Sequence, residues 1–365
     1  MKVLHILAEL RPSGAEVMLK IAAPYWCKND YEMSVLSTGE DIGTYSNILN
    51  EVGYKIYHIP FQKSFGFFNA LRRLIVQEAF DVVHIHTERA NFYYGILCKH
   101  VGVPAIIRTI HSVFNFQGRL KTTRMFQRWF LRAIGIKQVS IGTSVQENEI
   151  KTFKNPTTLI SNWYDDQRFY PVSLDQKMLI RKELNIIDSQ VVIVSVGNCS
   201  SVKNHHAIIE ALANLEKNDK VIYLHIGEED AEQTERHLAK RLNLLDQIHF
   251  LGFQEDIRPY LWAADIFLMP SLYEGLGIAA VEAMAAGLPC ILSDVPGLKD
   301  FKGIIPGIIF TTPTKEGIKT SVEELSKKNL YDLLKLGSVN SEIVKKYWGV
   351  EQNCQKYLDL YKLKG

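Results

Sequence analysis

Short β-branched runs alternate with helical stretches along the whole 365-residue chain, and this alternation most narrows the fold. Strands that alternate with amphipathic helices form βαβ units, which close into parallel sheets covered by helices. In the first part the runs are Val3–Ala8, Glu32–Leu36, Lys55–Ile59, Val82–Ile85, Ala105–Thr109 and Gln138–Ile141. A polar stretch, Tyr164 to Pro171, interrupts them. The rhythm then resumes with Val191–Val196, Val221–Ile226, Ile248–Phe250, Ile266–Met269, Cys290–Leu292 and Ile308–Phe310. The reading is α/β, with two Rossmann-like doubly wound domains of residues 1–165 and 166–346. Such sheets bind ligands outside the carboxyl ends of their strands, so two of them are expected to face each other across a cleft.

Composition removes several other classes. The chain carries 42 Lys+Arg against 40 Asp+Glu, a formal charge of +2, and is 47% apolar, which excludes a disordered chain and argues against a generic nucleic-acid coat. Five cysteines (Cys27, Cys98, Cys199, Cys290, Cys354) lie far apart with no C-x-x-C pair, suggesting neither a disulfide framework nor a zinc site. The first apolar run is broken by His5 and Glu9 and reads as a buried strand instead of a signal peptide, and no run approaches the ~18 apolar residues of a membrane span. A cytoplasmic protein is expected, with peripheral attachment at the inner face of the plasma membrane left open.

Candidate chemistry follows the strands. Arg11-Pro12-Ser13-Gly14-Ala15-Glu16 precedes a helical run, and Gly14 would let backbone approach an anion at the helix start; a plain βα turn is the alternative. His86 and His111 each stand where a strand ends; two imidazoles at corresponding ends suit a polar ligand, His111 the better candidate because it sits at the loop itself, with hydrogen-bonded structural histidines the equal alternative. His84 shares a strand face with His86 and is read as structural.

In the second half, Gly197-Asn198 closes a strand and Lys203 precedes a helix, the parts of a phosphate clamp: backbone donors, helix dipole and one mobile cation. A solvated loop lysine is the competing reading. The most informative stretch runs from Pro270 to Pro289. Gly277–Ala286 is apolar on nearly every face and predicts a buried helix, stopped by Gly287 and Pro289. Glu282 lies in its middle, where an ionised carboxylate is costly unless it accepts hydrogen bonds, as from sugar hydroxyls. Glu274 precedes the helix, and Gly275-Leu276-Gly277-Ile278 offers amides to a pyrophosphate.

The Glu274-x7-Glu282 pattern, within P-S-L-Y-E-G-x-G-x-x-x-x-E-A-M-A-x-G-x-P, strongly resembles glycosyltransferase family 4, retaining sugar-nucleotide transferases of GT-B fold. Ser13 to Glu16 is similar to that family's G-G-A-E loop, His111 to its cleft histidine, and Ile160-Ser161-Asn162 with Phe169 and Pro171 to its interdomain segment. Gly252-Phe253 and the run from Tyr260 to Asp265 are similar to its stretch before the donor site. The resemblance implies that Glu274 contacts donor-sugar hydroxyls, Glu282 the nucleotide ribose, Lys203 the pyrophosphate, and His111 the sugar or acceptor region. It also implies that a last helix, about 347–365 and read as Tyr347 to Leu363, crosses back onto the first domain. One position departs: Asn198 stands where the family usually has an arginine, which puts the usual two-cation clamp in doubt.

Glycosyl transfer must neutralise charge on the leaving pyrophosphate, for which Lys203 and the helix start suffice without metal. No D-x-D motif of trustworthy spacing is present, and no cofactor is expected beyond the nucleotide sugar as substrate; the resemblance implies a UDP-linked one, with guanosine open. Partners expected are that donor and a glycan or lipid-linked acceptor, not nucleic acid. A sugar-nucleotide epimerase of the same two-domain fold and a two-lobed sugar-binding protein are the alternatives.

Charge is divided along the chain. Residues 1–165 hold 19 Lys+Arg and 13 Asp+Glu, or +6, leaving 23 and 27, or −4, in residues 166–365. No acid occurs between Glu88 and Glu147, where nine cations do. Arg119 precedes Lys121, Arg124, Arg128 and Arg132, the last four at helical spacing beside Met125, Phe126, Trp129 and Phe130, and with His86 they are the expected acceptor or membrane surface. A core-packed helix with a solvated cationic back is the equal alternative.

Overall fold

The computed structural model describes residues 1–215 and 220–362. The chain divides into two compact units, Met1–Trp163 with Val350–Gly365, and Tyr164–Gly349. The sequence division placed the boundary after residue 165 and the return near 347.

The first unit holds a parallel sheet of β1 (Lys2–Leu7), β2 (Glu32–Ser37), β3 (Lys55–His58), β4 (Val82–Ile85), β5 (Ala105–Ile110), β6 (Lys137–Ser140) and β7 (Thr158–Leu159), in the order β3-β2-β1-β4-β5-β6-β7. Its helices are α1 (Gly14–Lys28), α2 (Ser46–Glu51), α3 (Phe65–Glu78), α4 (Asn91–His100), α5 (Gly118–Ala133) and α6 (Thr143–Phe153). Alternation along the strands sorts the core into two layers. Val3, Val82 and Ile107 face Met18 and Trp26 of α1, whereas Leu4, Ile6, Val83 and Ile106 face Phe67 and Leu71 of α3 and Tyr94 of α4. Each such side chain contributes about 1.5–3 kcal/mol on full burial.

The second unit begins with α7 (Leu174–Glu183) and holds β8 (Val191–Val196), α8 (His205–Leu212), β9 (Val221–Ile226), α9 (Thr234–Arg241), β10 (Ile248–Phe250), α10 (Arg258–Ala263) and β11 (Ile266–Met269). It continues with α11 (Ile278–Ala285), β12 (Cys290–Ser293), β13 (Ile308–Thr311), α12 (Lys315–Ser326) and α13 (Leu330–Trp348). The sheet order β10-β9-β8-β11-β12-β13 is all parallel and reverses direction between β8 and β11. That reversal is the topological switch point, the place in such sheets where a crevice forms outside the carboxyl ends of the strands.

Two expectations need correction. The strand rhythm omitted β7, a two-residue edge strand whose side chains are both exposed, so no buried apolar run announces it. The last helix starts later than Tyr347. Gly349 is extended (φ −62, ψ 148), ends α13 at Trp348 and leaves Tyr347 and Trp348 in the second unit. A separate helix, α14 (Val350–Lys362), packs Tyr357 and Tyr361 against Trp163 and Trp26 of the first unit; the expected end at Leu363 lies outside the described residues.

Candidate active site

The loops after β8 and β11 meet at the switch point of the second unit and carry the residues singled out in sequence. Leu272 N–H donates to Val202 O (2.8 Å), and Asn204 Nδ2 donates to Pro270 O (3.0 Å) and Pro313 O (2.9 Å). Asn204 itself stands at φ 59, a left-handed cap that Asn tolerates well and that turns the chain into α8. This stitching brings Lys203 Nζ to 2.6 Å from Glu274 Oε1, to which Ser271 Oγ also donates at 2.8 Å. Behind Glu274, Gly297 lies so close that an added Cβ would fall 2.4 Å from the Glu274 carbonyl oxygen. The Glu274 loop thus needs glycine at its back.

Gly277 caps α11 at φ 74, with room for no side chain beside Leu298. Leu276 is buried, and the helix from Ile278 presents its first-turn amides at the crevice end of the unit, adjoining Glu274 in the chain. Asn198 is exposed and its Oδ1 accepts the Glu228 N–H (2.9 Å), so it ties two loops together and offers no charge. Glu229 pairs with Arg236 (2.6 Å) and Asp230 caps the Thr234 N–H (2.8 Å), which accounts for both acids locally.

Glu282 is half-buried on this apolar helix, α11. Neither a backbone amide nor a lysine satisfies it, for its carboxyl has no hydrogen-bond partner among the described residues. Desolvation pushes its pKa up to about 8, with Arg168 pulling it down and Asp165 adding to the rise. At neutral pH this group therefore holds its proton until something donates hydrogen bonds to the carboxylate.

In the first unit Ser13 caps α1 in extended geometry, and its Oγ bonds to the buried Glu16 carboxyl, whose pKa burial raises. An added Cβ at Gly14 would meet nothing within 4 Å, so that backbone is open to approach. His111 is partly exposed and its Nε2 lies 2.9 Å from His86 Nδ1; His86 Nε2 lies 2.9 Å from His5 Nδ1. His86 is thereby corrected: buried with both nitrogens engaged, it has none to offer an acceptor. His84 is bonded at both nitrogens, to Tyr361 and Thr109 (2.7 Å each), as a structural histidine should be.

The basic helix also changes. Arg128 is 2% exposed and bonds Glu149 (Nε to Oε2, 2.8 Å), so it belongs to the core and not to a cationic surface. Arg108 pairs with Glu88 (2.5 Å), and Arg124 is half-buried beside it (3.9 Å). Three of the nine cations, Arg108, Arg124 and Arg128, thus find acids in space. Arg132 is half-buried and donates to Lys154 O (3.2 Å). Arg119 and Lys121 remain exposed on α5, beside Leu120, Phe126 and Trp129, each about half exposed or more. Among the described residues no helix is long and apolar enough to cross a membrane.

Residues 12–168 match the family Glycosyltransferase Family 4, and residues 176–335 match Glycosyl transferases group 1. The chain is a family 4-type glycosyltransferase. Over 99% of its length it is 26% identical to EpsF of Bacillus subtilis (strain 168), a protein assigned to the glycosyltransferases, covering 96% of that protein. It is 28% identical, over 62% of its length and 61% of the other's, to the Escherichia coli UDP-Gal:alpha-D-GlcNAc-diphosphoundecaprenol alpha-1,3-galactosyltransferase. Among solved structures, Anabaena Alr3699/HepE in complex with UDP and glucose superposes with TM-score 0.80 at 20% identity, covering 98% of both chains, and its fold is GT-B.

The transferase thus has a GT-B fold. Four residues of the two candidate sites were not singled out from the sequence: Ser271, Asn204, Arg168 and His5. Asn204 was the most accessible of these, since an Asn between a loop cation and an apolar helix is a cap signal. Arg168 is 114 residues from its electrostatic partner Glu282 in sequence, and the fold brings the two within electrostatic reach.

Proposed function

We propose that this transferase moves a sugar, with retention, from a UDP-linked donor to a hydroxyl of a glycan or lipid-linked acceptor, in capsular, exopolysaccharide or other cell-surface glycan synthesis. The observation that carries this reading is Lys203 held against Glu274 at the switch point of the second unit. A donor diphosphate displaces Glu274 from Lys203: the ammonium then neutralises charge on the leaving pyrophosphate, while the freed carboxylate accepts hydroxyls of the sugar. The Gly275 to Ile278 backbone supplies amides to the diphosphate, and Glu282 accepts the ribose hydroxyls. In this reading His111 meets the sugar and Gly14 lets backbone approach it. No metal takes part, Lys203 and the α11 dipole serving instead, and the leaving phosphate itself helps deprotonate the acceptor hydroxyl. The first unit reads the acceptor and the second the donor.

Attachment to an anionic membrane is part of the same reading. Leu120, Phe126 and Trp129 exposed beside Arg119 and Lys121 combine apolar anchors with cations, as interfacial helices do. The test is incubation with a panel of nucleotide sugars and prenyl-diphosphate-linked saccharides, with the anomeric configuration of the product read by NMR. A UDP-sugar transferred with retention is expected. Donor conversion without acceptor would point to an epimerase, and an inverted product would remove the retaining mechanism.

A further inference from the structure

Three histidines of the first unit form one hydrogen-bonded chain. His5 on β1, and His86 and His111 just beyond β4 and β5, share the sheet face that α1 and α14 cover. Nδ1 of His5 meets Nε2 of His86, and Nδ1 of His86 meets Nε2 of His111, each at 2.9 Å. His5 is 1% exposed, and its far nitrogen, Nε2, is buried without a partner among the described residues. At the other end the Nδ1 of His111, the group reaching toward solvent, makes no hydrogen bond to the protein among the described residues.

Burial lowers His5 to about 3 and His111 to about 4, and holds His86 well below its ordinary value, so each ring carries one proton at neutral pH. Two orders of those protons satisfy both bonds. In one, every ring is protonated on Nδ1: His5 donates to His86, His86 donates to His111, and the buried Nε2 of His5 is a bare lone pair. In the other, every ring is protonated on Nε2, and the same buried atom becomes an N–H with no acceptor. Orphaned buried donors are the rarer and costlier defect, so the first order prevails. Ligand nitrogens of His5, His84 and His86 also come within 4.8 Å of one another. His84, however, engages both of its nitrogens with the Tyr361 and Thr109 hydroxyls, so it has no free lone pair to share with the other two on a common ion.

We propose that His5 and His86 are positioning residues that fix the tautomer of His111, so that it presents Nδ1–H outward as a hydrogen-bond donor to an oxygen of the sugar-nucleotide substrate. This rests on the reading of His111 as substrate-facing. It narrows that reading, because a nitrogen that already carries its proton donates to a hydroxyl or phosphate oxygen and does not remove a proton from the acceptor. No bond is made or broken at the ring.

The experiment is two-bond 15N–1H correlation NMR on the histidine-labelled full-length protein, which separates the two tautomers, with signals assigned through single histidine variants. His5, His86 and His111 are all expected in the Nδ1–H form. In His5→Leu the His86–His111 pair is free to reverse, so His111 becomes a mixture and KM for the nucleotide sugar rises by up to about tenfold with a smaller change in kcat. His5→Asn, whose amide places an N–H near the original Nδ1, restores both. His111 protonated on Nε2 in the unmodified protein, or a His5→Leu variant that loses stability while its His111 tautomer stays unchanged, overturns the proposal. An Nδ1–H His111 whose replacement by Phe leaves KM and kcat unchanged would instead remove the substrate-facing reading and leave the proton order standing.

Discussion

Lys203 Nζ and Glu274 Oε1 lie 2.6 Å apart although 71 residues separate them, because β8 and β11 are neighbouring strands and the loops that follow them meet at the switch point. The pair is partly shielded, with side-chain exposures of 29% and 13%. Each partner holds the other in place, and in the proposed reading a ligand with a diphosphate and hydroxyls replaces both contacts.

Removing either partner should therefore impair transfer more than folding. Lys203→Ala and Glu274→Gln are expected to lower kcat/KM by about 100-fold or more, the scale of losing one charged contact to a transition state. The double variant should lose far less than the product of the single losses, since the two act on one substrate group. Steady-state kinetics of all three variants checks this.

Glu282 should make nucleotide binding depend on pH. The free protein holds a proton there up to about pH 8, while ribose hydroxyls favour the ionised form, so binding releases a proton. UDP affinity is expected to rise between pH 7 and 8, by at most about tenfold, and Glu282→Gln should flatten that rise in calorimetric titrations. The same raised pKa has a stability consequence of opposite direction. The folded chain keeps a proton that the unfolded chain loses near 4.5, so this group costs stability progressively as pH rises from there to about 8.

Arg128 should behave as a core residue. Glu149→Gln leaves its guanidinium, 2% exposed, without a full counter-charge and is expected to cost about 3–5 kcal/mol in urea unfolding of the first unit. Arg119→Ala and Lys121→Ala should change stability by no more than about 0.5 kcal/mol.

Sedimentation with vesicles separates the surface role from the core role. Phe126→Ser with Trp129→Ser is expected to abolish attachment to anionic vesicles, and Arg119→Ala with Lys121→Ala to weaken it in a salt-dependent way. Equal sedimentation of all variants would remove the membrane surface.

Much of this was legible in sequence because strands buried on both faces are continuous apolar runs. Val82–Ile85, Val191–Val196 and Val221–Ile226 coincide with their strands to the residue. Their order also placed Gly197 to Lys203 and Glu274 to Glu282 at strand ends. What pattern does not carry is pairing across the fold. Arg128 reads as a surface cation because its counter-charge, Glu149, lies one helix further on, and His5 reads as an ordinary strand residue until β4 sets His86 beside it. The end of α13 depended on one extended glycine, Gly349, within an otherwise uninterrupted helical pattern.

The most direct measurement is nucleotide release from a panel of UDP- and GDP-sugars by the unmodified protein and by the Lys203→Ala, Glu282→Ala double variant. Release from a UDP-sugar by the former, reduced by at least about 100-fold in the latter while its thermal unfolding stays close to that of the parent, is the expected result. Full activity in the double variant would contradict the assignment of the donor site to these loops.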